Sequence, residues 1–210
     1  MKFRPIFWTG AADCVADFFI HNRYLQNIAN QHPLYILYSG ERDYLDQYYP
    51  NAICEPCENV WQAKAIKLFN ILKTRDDFDV LIRFCPDAMI KNVDKLFNSI
   101  ENGMTDEKTV LGNKEQNLGF TYLRGGCNAT PKALVHKMKF QSLEEGYDYW
   151  YSILLEEAGG VLKNWPLFEI NNKYTGEFPV WHPRQNFEAG KEDYPIRLKY
   201  FIRESENNKN

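Results

Sequence analysis

Short apolar runs alternate with longer amphipathic stretches along this chain. FRPIFWTG is apolar and aromatic and closes on Thr9-Gly10, the pattern of a buried strand stopping at a turn. In AADCVADFFIHNRYLQNIANQ, the residues Val15, Phe18, Phe19, Leu25 and Ile28 recur near helical spacing, with Asp13 placed to cap the start. PLYILYSGERD predicts a second strand ending in Ser39-Gly40. The stretch from Tyr44 to Pro56 carries no period and is expected to be irregular. WQAKAIKLFNILKTR sets Trp61, Ala65, Leu68, Phe69 and Leu72 on one helical face. FDVLIRF, rich in β-forming residues, predicts a strand that ends at Cys85-Pro86-Asp87, and KNVDKLFNSIENG a helix closed by Gly103.

The same reading makes Gly112 to Gln116 a loop, GFTYLRGG a strand, and ATPKALVHKMKF a helix with Pro131 near its first turn. GYDYWYSILLEEAGG is a helix ended by Gly159-Gly160, and VLKNWPLFEIN and EFPVWHP are late extended pieces. Strands alternating with helices predict an α/β fold with a mainly parallel sheet. The polar end ESENNKN is expected to fray or to begin a linker. One domain over residues 1–203 follows, with 204–210 outside it. No repeat or low-complexity block interrupts the chain.

Size and charge narrow the picture. A chain of 210 residues suits one domain and hides about 70% of its unfolded surface without help from disulfides or zinc. The net charge of -3 argues against a nucleic-acid partner held by bulk charge. No apolar run is long enough to span a membrane, the N-terminus lacks the apolar core of a signal peptide, and five cysteines are scattered. A cytoplasmic chain with reduced thiols is therefore expected. Aromatic residues, 15% of the chain, supply core packing and also rings that can stack on sugars.

Ligands of open parallel sheets bind beyond the carboxyl ends of the strands. That rule selects Thr9-Gly10-Ala11, Ser39-Gly40-Glu41, Cys85-Pro86-Asp87-Ala88, Arg124-Gly125-Gly126 and Trp181-His182. Glycines there let backbone approach a ligand closely. Asp87, just past a strand end, is on its plain reading the cap of the next helix. Arg83 interrupts an apolar strand, and a buried cation needs an anion, from a neighbouring acid or from a ligand. Lys64, Lys67 and Arg124 are cations able to meet an anionic ligand, or else are solvated or paired with surface acids. Asp148 reads as a first-turn acid that favours the helix dipole, and His182 as a surface or packing residue. Glu144 and Glu145 read as surface residues. Asp77-Phe78-Asp79 precedes its strand, at the wrong edge for a ligand, and reads as a turn. Cys54-Glu55-Pro56-Cys57 falls in a predicted loop with no second pair, against a redox or zinc role. Dinucleotide, P-loop and nucleophile-elbow signatures are absent.

FDVLIRFCPDAMI resembles the strand-plus-acid segment of glycosyltransferases of the GT-A fold, where an apolar strand ends in an Asp-x-Asp triplet followed by a small residue and two apolar ones. In that register Asp87 matches the last Asp, which in the family binds the metal holding the nucleotide diphosphate; Cys85 stands where the first Asp is expected. GYDYWYSILLEEAGG resembles the family's acidic helix and gives Asp148 the place of the residue that deprotonates the acceptor in inverting members. GFTYLRGGCNATPKALVHKM resembles the strand, loop and helix that admit the donor sugar, and PVWHPRQ the segment of the late metal-binding His, here His182. The resemblance covers most of the chain in order. It implies an α/β, GT-A (Rossmann-like) fold with a central mixed, mostly parallel β-sheet flanked by helices. It also implies a metal-dependent glycosyltransferase using a nucleotide-diphosphate sugar, most simply UDP-linked, and a glycan or glycoprotein acceptor. Mn²⁺ or Mg²⁺ would sit on Asp87 and His182. Thr9, Gly10, Ala11, Ser39 and Gly40 would cradle base and ribose, with Lys64 and Arg83 also at the nucleotide sugar. Gly125 and Gly126 would shape the sugar pocket, and Asp148 would act on the acceptor. Two alternatives stand beside it. One is a non-catalytic nucleotide-sugar or glycan-binding module, favoured by the missing first Asp. The other is a sugar-nucleotide pyrophosphorylase, whose Gly-rich basic loop TGAADC lacks.

Overall fold

Successive residues of the first strand, β1 (Pro5–Ala11), point to opposite faces of a sheet, and both faces are covered. Phe7 and Ala11 enter one apolar cluster, Ile6 and Trp8 another. Both-sided burial explains why β1, β2 (Leu34–Tyr38) and β4 (Val80–Phe84) read as continuous apolar runs rather than alternating ones. The computed structural model describes residues 3–117, 120–140, 147–171, 174–183 and 194–206.

The central sheet has seven strands in the order β3-β2-β1-β4-β7-β6-β8, adding β3 (Ile53–Pro56), β6 (Thr109–Asn117), β7 (Phe120–Pro131) and β8 (Val161–Asn164). The pairs β3-β2, β2-β1, β1-β4 and β6-β8 are parallel; β7 runs antiparallel to both of its neighbours. One face is covered by α1 (Ala16–His21), α2 (Arg23–Gln31), α3 (Asp43–Tyr48) and α5 (Val93–Gly103), which bring Phe19, Leu25, Leu45 and Ile100 to its core. The other is covered by α4 (Trp61–Leu72), α6 (Lys132–Lys137) and α7 (Tyr147–Glu157), through Leu68, Val135 and Leu154. A small sheet of β5 (Met89–Ile90), β10 (Val180–Pro183) and β9 (Phe168–Asn171) leans on α8 (Tyr194–Glu206) through Met89, Trp181 and Phe201. Among the described residues no helix is long and apolar enough to cross a membrane.

Local expectations differ from the structure in several places, among them Ala129–Pro131, which end β7 rather than open the helix α6. The stretch Tyr44 to Pro56 is not irregular: it holds most of α3 and the edge strand β3. Leu45 and Tyr49 are buried, but α3 is too short to show a period, and β3 is held by backbone pairing of Ile53–Pro56 with Tyr35–Tyr38. Gly112 to Gln116 is not a loop but part of β6, bulged between Gly112 and Lys114; ladder bonds with β7 hold it despite its polar side chains. The first helix is broken at Asn22, whose side-chain Oδ1 caps α2 by accepting from Leu25 N at 3.1 Å. Asp13 caps nothing; it lies in a 3-10 turn (Asp13–Val15), and its carboxylate accepts from Glu41 N at 2.9 Å. At the other end, α8 carries Glu204–Glu206 and buries Ser205, so these residues are helical rather than a tail. Residues 207–210, Glu144 and Glu145 lie outside the described residues.

Candidate functional site

Because β1 lies between β2 and β4, the chain leaves it on one side and returns on the other, which opens a crevice beyond the carboxyl ends of β1 and β4. Cys85, Pro86 and Asp87 leave β4 at that crevice. The small sheet then supplies the partner. Trp181 pairs with Met89 and Val180 with Ile90, so the same antiparallel register carries His182 alongside Ala88. His182 Nε2 lies 3.2 Å from Asp87 Oδ1. With the Cys85 thiol, their donor atoms all fall within 4.8 Å of one another. Asp87 is 9% exposed and His182 8%, so the pair sits in a low-dielectric place where a carboxylate is strongly felt. His182 Nδ1 is buried without a hydrogen-bond partner, which leaves Nε2 as the nitrogen facing the other donors. A neutral imidazole and a carboxylate suit a divalent first-row cation. The Cys85 S–H donates to Gly125 O at 2.8 Å. Burial, and then the neighbouring Asp87 charge, pushes this thiol well above its ordinary range, so it keeps its proton in this state.

Asp148, in the first turn of α7, faces the same crevice from β7's side. Its Oδ1 accepts from Arg83 Nη1 at 3.1 Å and its Oδ2 from Gly125 N at 3.0 Å. The anion that Arg83, 3% exposed, requires is therefore this carboxylate. A side chain at Gly125 would put Cβ 2.8 Å from Asp148 Oδ1 and 3.0 Å from Arg83 Nη2, so glycine lets the pair close over the strand.

No protein-family model and no curated protein matches the sequence. Solved structures do match in three dimensions. A mannosyltransferase from Pyrobaculum calidifontis in complex with GDP-Man and Mn²⁺ aligns at TM-score 0.54 and 13% identity, over 79% of this chain and 56% of its own. The apo WbbM bifunctional glycosyltransferase aligns at 0.54 and 9%, over 99% of this chain and 52% of its own. The chain thus spans about half the length of these two proteins. The 4-diphosphocytidyl-2C-methyl-D-erythritol synthase of Anaerococcus prevotii aligns at 0.53 and 9%, over 93% and 96%. At such identities the likeness is one of fold. This chain has a GT-A-like, Rossmann-like α/β fold.

Within this GT-A-like fold, three cavities meet at Cys85. One of about 240 Å³ is bounded by Gly10, Ala11, Trp61, Lys64 and Asp87. A second, about 350 Å³, is bounded by Trp61, Arg83, Tyr122, Asp148 and Tyr149. The third, about 310 Å³, lies between Arg124, Gly125, Gly126, Phe168 and His182. A larger cavity of about 490 Å³ opens at the opposite edge, by Asp79, Ile100 and Met104, away from the switch point where such folds bind ligands.

The remaining expected residues divide. Lys64, 3% exposed, donates from Nζ to Ala11 O at 2.8 Å, with Ser39 Oγ at 3.3 Å; burial lowers its pKa. Ser39 thus stands behind Lys64 rather than in the cavity wall. Thr9 does not reach the crevice: it is fully buried inside β1. Gly40 (φ +91°) does not face a ligand either, since the Asp13 carboxylate lies within 2.3 Å of where its Cβ would be. The space directly over the Gly126 Cα holds the Phe168 ring, 2.3 Å from an added Cβ, and Gly126 and Phe168 together line the 310 Å³ cavity. Arg124 pairs with Glu115 at 2.5 Å and Lys67 with Glu55 at 3.2 Å. Asp77 and Asp79 pair with Arg75 and Arg4 before β4, at the edge away from the site. Cys54 lies in the edge strand β3 and Cys57 just past it, both as thiols.

Sequence reasoning passed over Trp61, whose ring walls two of the cavities and fills the space above Gly10, 2.8 Å from an added Cβ. Its counting as a core position on α4 hid it; its place at the helix start, above a strand end, was the available signal. Tyr122 and Phe168 were passed over likewise, whereas Cys85 was noted at the strand end and in the triplet but given no role as a donor.

Proposed function

We propose that the protein is a metal-dependent glycosyltransferase that moves a sugar from a nucleotide-diphosphate donor to a glycan acceptor. The observation that carries this reading is the approach of His182 to Asp87, 3.2 Å apart at the switch point and opening toward Gly125 and Asp148. The GDP-Man and Mn²⁺ held by the similar mannosyltransferase support it. Asp87 and His182 would hold the cation, Mn²⁺ or Mg²⁺, whose charge offsets that of the diphosphate as it departs. Lys64 adds a cation at the nucleotide end of the crevice, next to Gly10 and Ala11. Arg83 and Gly125 N fix both oxygens of Asp148, so that its remaining lone pairs accept from an acceptor hydroxyl in one orientation and take up its proton. Tyr122, Tyr149 and Trp61 supply ring surface for sugars beside it.

The donor is UDP-linked in this proposal, by resemblance to the family. The sequence also resembles the N-terminal glycosyltransferase domain of a chlorovirus protein that glycosylates the major capsid protein. On that resemblance the acceptor is a capsid glycan and the place of work the host cytoplasm. Calorimetry with UDP and Mn²⁺ tests the core of the proposal. The wild type is expected to bind UDP only with the cation, and Asp87→Ala to lose that binding. UDP binding that is metal-independent and unchanged in Asp87→Ala overturns it.

Two observations favour a second reading, nucleotidyl transfer. The synthase likeness spans 96% of that protein, and Lys64 brings to the end of β1 a cation that its loop lacks. Release of pyrophosphate from a nucleoside triphosphate and a sugar phosphate would select that reading.

A further inference from the structure

We infer that the cation at this site is also bound by sulfur: Cys85, Asp87 and His182 form a thiolate, carboxylate and imidazole set that selects a borderline cation, Zn²⁺ or Co²⁺, over Mg²⁺. The inference rests on the proposed metal role of Asp87 and His182 and adds the donor that sets the class of cation.

The three donor atoms lie within 4.8 Å of one another, a span that one ion with bonds of about 2.0–2.3 Å can bridge. Asp87 and His182 are 9% and 8% exposed, and the imidazole turns Nε2 toward the carboxylate at 3.2 Å. This is a built site rather than a surface acid cluster. Cys85 and Asp87 flank Pro86, whose fixed φ limits how far their side chains can diverge. Among the described residues no other trio of such donors converges.

Donor chemistry then decides the ion. Mg²⁺ demands oxygen ligands in near-octahedral array, whereas sulfur and nitrogen ligands favour Zn²⁺ and Co²⁺, with Mn²⁺ weakest of the first-row series. On binding, the Sγ–H bond breaks and an Sγ–metal bond forms with the electron pair of sulfur. The proton leaves to solvent, the hydrogen bond to Gly125 O is given up, and no redox change occurs.

The test is a titration of the full, reduced chain with cobalt(II) chloride alone, followed by absorption and calorimetry. The wild type is expected to develop the near-ultraviolet band of a thiolate–cobalt bond. The band should persist in C54S/C57S and C14S, and vanish in Cys85→Ser with Co²⁺ affinity lowered on the order of 10- to 100-fold, at least the scale of an outer-shell loss. Cys85→Asp should exchange Co²⁺ preference for Mg²⁺ and Mn²⁺. Were both Cys85 variants unfolded, a wild-type band unaffected by C54S/C57S, C14S and C127S would still assign the sulfur, since Cys127 lies opposite Phe84 on β7. Co²⁺ bound without the band, or with a band lost in C54S/C57S, overturns the inference and leaves the oxygen–nitrogen site standing. Absence of Co²⁺ binding with and without UDP overturns both.

Discussion

Gly126 illustrates how a small residue at a strand end can serve packing that the sequence does not show. The sequence marks it as small, at the end of a strand, beside Gly125. What needs the space is the ring of Phe168, 2% exposed, which cannot swing away. Gly126→Ala is therefore expected to lower stability by about 1–3 kcal/mol, the usual cost of overpacking, read as a lower urea midpoint. An unchanged midpoint would mean that strand and ring part freely. Arg83 was legible for the complementary reason. A cation in an apolar strand requires an anion wherever it ends up, and Asp148 supplies it. That Asp87 stands just beyond the end of β4 was legible from the apolar run before it. Its partnership with Cys85 was not, because a thiol in the triplet reads as a lost carboxylate until His182 arrives from the far end of the chain.

Elements couple to the site through their ends. Asn22 separates α1 from α2, caps α2, and donates from Nδ2 to Ala88 O at 3.1 Å, next to Asp87. It is 1% exposed, so both bonds are sheltered from water. Asn22→Ala removes a cap and leaves a buried carbonyl unpaired, and should cost about 2 kcal/mol in chemical denaturation. It should also weaken cation binding in titration, since the 85–88 loop loses its tie to α2. Full affinity in a destabilised Asn22→Ala would show that β5 pairing alone holds that loop. The strands and helices with buried faces were visible as apolar runs and periods. Those held mainly by backbone pairing were not, β3 and β6 above all, because a ladder bond carries no side-chain signal.

At the scale of the molecule, the crevice joins pieces from both halves of the sheet: the β1 end and Trp61 on one side, β7, α7 and β10 on the other. A ligand that bridges them should stabilise the whole fold. UDP with Mn²⁺ at one hundred times Kd is expected to add about 2.7 kcal/mol, seen as a raised melting temperature that a chelator abolishes. A UDP shift that survives the chelator counts against the metal-bridged arrangement. What the sequence determined by itself was local and periodic: the α/β alternation, the buried strands, the acids and glycines at strand ends, and a small net charge. Only the tertiary structure decided which strand end meets which. Strand order, the antiparallel turn of β7 and the β5–β10 register bring His182 to Asp87 and Asp148 to Arg83. Such pairings join residues far apart along the chain, and their energy depends on distance in space, a quantity that no spacing along a sequence contains.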